Sequence, residues 1–118
     1  MVQTAPRSSD LQVTIVPGSL DGGDKTIARI SGELDAMNAA ALRDALDVAH
    51  EPGRRVVVDL EDVTFIDSSG ICVLVECANR ALAEGRRELF SVRADDKLRR
   101  TFEVLGLTDH LGIVGKPG

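Results

Sequence analysis

The chain has no tryptophan and no tyrosine, and its aromatic content is three phenylalanines in 118 residues. A core built from it must be aliphatic, and few aromatic faces are left for stacking bases or sugars. Cysteine is scarce as well. Cys72 and Cys77 are the only two, too few for a disulfide framework. No apolar run approaches the roughly 20 residues that a membrane-crossing helix needs. The first ten residues (MVQTAPRSSD) hold no apolar segment of the kind a signal peptide carries. These absences lead to an expectation of a cytoplasmic protein with no membrane partner. Basic residues are not in excess: 19 acids stand against 14 bases, a net charge of −5 with no basic stripe. That balance argues against nucleic acid as a partner.

What is present is a globular balance, 43% hydrophobic and 28% charged, which excludes wholesale disorder. The length suits one domain able to bury a core without staples. Residues 1–10 read as a flexible N-terminal tail, 11–114 as the domain and 115–118 as a loose end. No internal repeat is visible.

Leu11, Val13 and Ile15 alternate with polar residues, the period of a half-buried strand. Pro17 to Asp24 is dense in turn residues and reads as a hairpin loop. A second strand follows, with Ala28 and Ile30 on one face and Ile27, Arg29 and Ser31 on the other. Gly32-Glu33-Leu34-Asp35 is expected to break it. Leu42, Ala45, Leu46 and Ala49 make one helical stripe, with Asp35 or Asn38 available as its cap and Pro52-Gly53 as its stop. Val56-Val57-Val58-Asp59-Leu60 is β-branched without alternation, as in a strand buried on both faces, and Val63 to Ile66 continues it. The next helix is expected from Ser69 or Gly70, with its inward stripe on Ile71, Leu74, Val75, Ala78 and Leu82. On that register Val73 and Arg80 point outward, and Gly85 ends the helix. Leu89 to Val92 reads as a strand. Asp95 or Asp96 then caps a third helix with Leu98, Thr101, Phe102 and Leu105 inside. The order is ββαβαβα, a mixed α/β sheet with right-handed crossovers.

The informative segment is Phe65-Ile66-Asp67-Ser68-Ser69-Gly70-Ile71. A buried strand ends and a helix starts within three polar residues. Such helix N-termini present unpaired N–H groups and a partial positive charge, which suit a phosphate. The plain alternative is that Ser68 or Ser69 is only an N-cap. Two serines plus an aspartate exceed what a cap requires, and the carboxyl end of a central strand is where open α/β sheets place their sites. Gly70 is expected to let the backbone turn tightly there.

Gly32-Glu33-Leu34-Asp35, Val56 to Leu60, Phe65 to Ile71 and Leu105-Gly106-Leu107, in this order and spacing, resemble the anti-sigma factor antagonists. These are single STAS domains of bacterial regulatory systems. The resemblance runs from Leu11 to Val114. It implies a partner-switching role in transcription regulation, as in stress responses. The unphosphorylated antagonist binds an anti-sigma factor with a kinase-type ATP-binding fold, and a sigma factor is released. The anti-sigma factor phosphorylates the antagonist on serine, and a metal-dependent serine/threonine phosphatase reverses this. The matching phosphoacceptor is Ser69, with Ser68 as the alternative. The implied partner-binding residues are Asp35, Asp67, Ser68, Ser69 and Gly70. The outward helix geometry adds Cys72, Val73 and, at the edge of the patch, Glu76.

Other chemistries find little support. Cys72 and Cys77 lie five apart on one helix, too far round it for a disulfide, and both read as small buried hydrophobes. His50 and His110 have no companions at ligand spacing, so no metal and no cofactor are expected. The chain lacks both a Gly-x-Ser-x-Gly elbow and a Gly-x-x-x-x-Gly-Lys loop, so it is not read as an enzyme. The nearer alternative is a STAS interaction module that is never phosphorylated, as a subunit of a lipid-transport or stress-signalling assembly.

Overall fold

Val56, Val57 and Val58 are each less than a tenth exposed and lie in the middle of a sheet. The β-branched run forms a strand because its crowded side chains suit a pleated surface. The computed structural model describes residues 3–4, 11–18, 25–49, 55–85 and 90–114. In chain order the elements are β1 (Gln3–Thr4), β2 (Gln12–Gly18), β3 (Lys25–Leu34), α1 (Ala39–Ala49), β4 (Arg55–Ile66), α2 (Ser68–Ala83), β5 (Phe90–Arg93), α3 (Asp96–Val104) and β6 (Ile113–Val114). The central order ββαβαβα is the expected one. The strands form one sheet in sequential order. The pairs β1–β2 and β2–β3 are antiparallel, and β3–β4, β4–β5 and β5–β6 are parallel.

Several local expectations need correction. The tail contributes Gln3–Thr4 as an edge strand on β2, and Ile113–Val114 adds another beside β5; two-residue strands carry no periodicity to read. The remaining tail residues, residues 19–24 of the hairpin loop, Pro52-Gly53, His50, Leu89 and residues 115–118 lie outside the described residues. Pro17 and Gly18 belong to β2, opposite Thr26 and Lys25. Gly32 does not break β3. The strand continues to Leu34 through register shifts against β4, with Gly32 at φ 98°, a backbone state that glycine adopts without strain.

The stripe of α2 is rotated from the expected one. Gly70, Val73, Leu74, Ala78 and Ala81 face inward, and Leu82 is half exposed. A stripe drawn through the bulkiest residues misses this, because small residues, Gly70, Ala78 and Ala81, are part of the buried face. Val73 is therefore a core residue with no exposed surface. In α3, Leu98 and Phe102 are buried as expected, but Thr101 and Leu105 are exposed. Gly85 and Gly106, both at φ 72°, follow the ends of their helices, the left-handed residue that commonly closes a helix.

Residues from β2 to β5 and from all three helices form one core, aliphatic except for Phe90 and Phe102, with Ala28, Val58 and Val92 side by side in it.

Candidate functional site

The end of β4 delivers the chain directly into α2. The Asp67 N–H donates to the Leu34 carbonyl at 3.0 Å, which ties the start of α2 to the end of β3. The Asp67 side chain is the N-cap: its Oδ1 accepts from Ser69 N at 2.9 Å and from Gly70 N at 3.3 Å. Neither serine caps the helix. Ser68 is exposed and Ser69 half-buried, so both hydroxyls are released from that structural duty. The helix starts one residue earlier than expected, and two of its first N–H groups are engaged by a carboxylate.

Gly70 is an ordinary helical residue and not a turn. A Cβ there would lie 3.0 Å from Ile66 Cγ1 and 3.0 Å from Leu34 Cβ. Its role is close packing, which seats the serines against the sheet end.

The loop from β3 to α1 reaches the same end of the sheet. Asn38, fully buried, donates from Nδ2 to the Glu33 carbonyl at 2.7 Å and accepts at Oδ1 from Asp35 N at 2.9 Å. Its carbonyl begins α1 by accepting from Leu42 N. The asparagine thus clamps the loop, while Asp35 Oδ1 accepts from Met37 N. The bond between Leu34 and Asp67 brings Asp35 to the Ser69 end of the molecule. Met37 is 80% exposed and Phe65 50% exposed, two large apolar side chains at this end that sequence reasoning passed over. No sequence signal marked Phe65: its exposure follows from the irregular pairing of β4 with β3, which shifts the parity of the strand.

The expected outward patch on α2 is only partly there. Cys72 is exposed, contrary to its reading as a buried residue. Cys77 is half-buried, and burial pushes its thiol up to about 11. Val73, with no exposed surface, leaves the patch altogether. Glu76 is held by Arg43 of α1 through two bonds, at 2.9 and 3.0 Å. The bond to Arg43 holds its carboxyl below the usual range. One turn on, Arg80 pairs with Asp47 of α1, so the two parallel helices are laced by two charge pairs of alternating polarity. His110 Nε2 lies 2.7 Å from Asn79 Oδ1. Among the described residues no group of three potential ligands could hold a metal, and no helix is long and apolar enough to cross a membrane.

The architecture has counterparts among known proteins. A family described as "Mlab, STAS domain" matches residues 21–115. An anti-sigma-B factor antagonist of Staphylococcus aureus is 33% identical over 86 residues, which cover 72% of this chain and 79% of the relative. One from Listeria monocytogenes is 34% identical over 90 residues, 75% and 78% of the two chains. Among solved structures, an anti-sigma factor antagonist from Mycobacterium paratuberculosis superposes with a TM-score of 0.75 at 23% identity, covering 87% of this chain and 84% of that one. The antagonist SpoIIAA in its unphosphorylated form superposes with a TM-score of 0.63 at 18% identity, over 99% and 89%. With a family match over most of its length and relatives above the identity at which kinship is secure, the chain belongs to the STAS-domain family of anti-sigma factor antagonists.

Proposed function

We propose that the protein is a cytoplasmic, non-catalytic switch that binds an anti-sigma factor when Ser69 is unmodified and lets go when Ser69 is phosphorylated. The partner would be an anti-sigma factor with a kinase-type ATP-binding fold, and a metal-dependent serine/threonine phosphatase would reset the switch. The observation that carries this reading is the cap. Asp67 performs the structural task that would otherwise occupy a serine, and it leaves the Ser69 hydroxyl available as a phosphoacceptor.

The same cap explains why a phosphate would act as a block. Phosphorylation adds about −1.5 to −2 charges. The nearest helix N–H donors are engaged by Asp67, so the phosphate would meet a carboxylate and few free donors. It would project toward the partner, and a contact that covered it would have to desolvate a dianion. Met37, Phe65 and Cys72 would supply uncharged contact beside it, with Asp35 and Ser68 at the rim. Refolding is not required.

A second reading, a STAS module whose serines never carry phosphate, draws support from the description of the matching family as Mlab rather than as an antagonist. One experiment separates the two. The protein is incubated with candidate anti-sigma kinases and ATP, phosphate is mapped by mass spectrometry, and binding is measured for wild type, Ser69→Ala and Ser69→Asp. Constitutive binding by Ser69→Ala and poor binding by Ser69→Asp are expected. Phosphate on neither serine with any kinase, and equal binding by all three proteins, would leave the second reading.

A further inference from the structure

Three strand–helix–strand connections step the sheet in one direction, from β3 to β4 to β5 to β6. Right-handed crossovers that all step the same way put their helices on the same face. The burial agrees: Ala28, Val58 and Val92 join the helix residues in one core, and Val57 is outside it. The other face of the sheet is covered by none of the described helices, yet it is not an ordinary polar surface.

Cross-strand register orders that face into rows. Val16, Ile27, Val57 and Ser91 stand side by side across β2 to β5. On one side of this row Lys25 is opposite Arg55. On the other side run Thr14, Arg29, Asp59 and Arg93. Arg29 and Arg55 are exposed, and Arg93 reaches within 3.9 Å of Asp59. Exposed cations, Arg55 on one side and Arg29 on the other, thus flank an apolar strip in a chain of net charge −5, while Arg93 is paired with Asp59 within its own row. Further along the strands, toward Ser69, the sign reverses, with Asp62 opposite Ser31 and Glu33 opposite Phe65.

The dimensions select an occupant. The two cationic rows are four residues apart along a strand, about 13 Å. An α-helix with its side chains is about 10–12 Å across. A helix laid over the strip would set apolar residues on the half-buried Val16 and Ile27, beside the nearly covered Val57, and carboxylates against the exposed Arg29 and Arg55 on either side. The apolar side chains are short and β-branched, recessed among longer arginines, and offer nothing that inserts into a bilayer. No aromatic lies in these rows to stack a base, and Asp59 sits among them.

We propose that this face is a second docking surface, for a helix of a partner protein that carries an apolar stripe flanked by Asp and Glu. The row of Asp59 is seven residues from the end of β4, roughly 23 Å along the strand. Docking there is therefore independent of the state of Ser69, and the domain can hold one partner while it exchanges another.

The test is an NMR titration of the 15N-labelled full chain with a synthetic helical peptide of about sixteen residues, leucines on one face and glutamates on the flanks. Shifts are expected at Ile27, Arg29, Val57 and Arg93 and not at Ser69 or Gly70. Arg29→Glu with Arg55→Glu should weaken binding about tenfold or more, as loss of complementary charge does, and Ser69→Asp should leave it unchanged. Should the double reversal disturb the fold, Arg29→Gln with Arg55→Gln should still weaken binding measurably. The lysine counterpart of the peptide, short duplex DNA and phosphatidylglycerol-containing vesicles should bind less tightly. Absence of saturable binding, shifts centred elsewhere, indifference to the arginine changes, or tighter binding of DNA or vesicles would each overturn the proposal.

Discussion

Removing the carboxylate of Asp67 should do two opposite things, and their contrast tests the role given to the cap. In the unmodified protein Asp67→Ala strips the acceptor from Ser69 N and Gly70 N. Loss of an N-cap costs about 1 kcal/mol. Ser69 is only half-buried, so water can take the acceptor's place at its N–H, whereas Gly70 is buried and its weaker 3.3 Å bond is lost outright, which keeps the cost at or somewhat above that value. For a domain of this size it amounts to a fall of about 3–6 °C in Tm. Asp67→Asn keeps an acceptor in place and should lose only the charge–dipole part, about 0.3–1 kcal/mol.

With phosphoserine installed at position 69 by genetic encoding, the order should change. In the wild type the phosphate gains the helix dipole but faces the Asp67 carboxylate. At about 6 Å in bulk-water dielectric the repulsion is roughly 0.7 kcal/mol per pair of unit charges, and more where water is partly excluded. The two effects nearly cancel, and Tm should move by less than about 2 °C. In Asp67→Ala the repulsion is gone and two N–H donors are free, so the phosphate should restore about 1 kcal/mol. Circular-dichroism melts of the four proteins at low ionic strength measure this. An equal phosphate effect in wild type and Asp67→Ala would refute the claim that Asp67 denies the phosphate its donors.

The core and the cysteines give two further tests. Val73→Ala should cost about 2 kcal/mol through lost burial and a cavity, and Val73→Glu should leave the chain unfolded in a melt because the charge has no water to face; a well-folded Val73→Glu protein would restore the outward register of α2. Cys72 should be alkylated by iodoacetamide at pH 8, whereas Cys77, with its thiol near 11, is thiolate in only about one molecule in a thousand at that pH, as peptide mapping by mass spectrometry would show. The sign of the linked pH effect follows from the raised value. The folded state holds the Cys77 proton more tightly than the unfolded chain does, so this stabilisation is complete below about pH 9 and is lost as the pH rises toward 11. Cys77→Ala should flatten that alkaline fall in Tm, and an unchanged fall would assign it to other groups.

The order of strands and helices was legible because each element carries its own signal: alternation in β2, β-branching in β4, an apolar stripe and a stop in α1. The place of the candidate segment in the fold was legible too, since Asp67-Ser68-Ser69-Gly70 had to fall where a buried strand gives way to a helix. Three things were decided only by the tertiary structure. The rotation of α2 depends on Gly70, whose missing side chain lets the helix settle against Ile66 and Leu34. A periodicity read from bulky residues cannot see a contact made by an absent one, and so Val73 was placed on the wrong side. The division of labour between Asp67 and the two serines is a matter of one hydrogen bond against another, and all three residues are good caps in isolation. The open face of the sheet, with its cationic rows, exists only in the register between strands far apart in the chain. Local pattern specifies what a segment is, and only packing specifies what it faces.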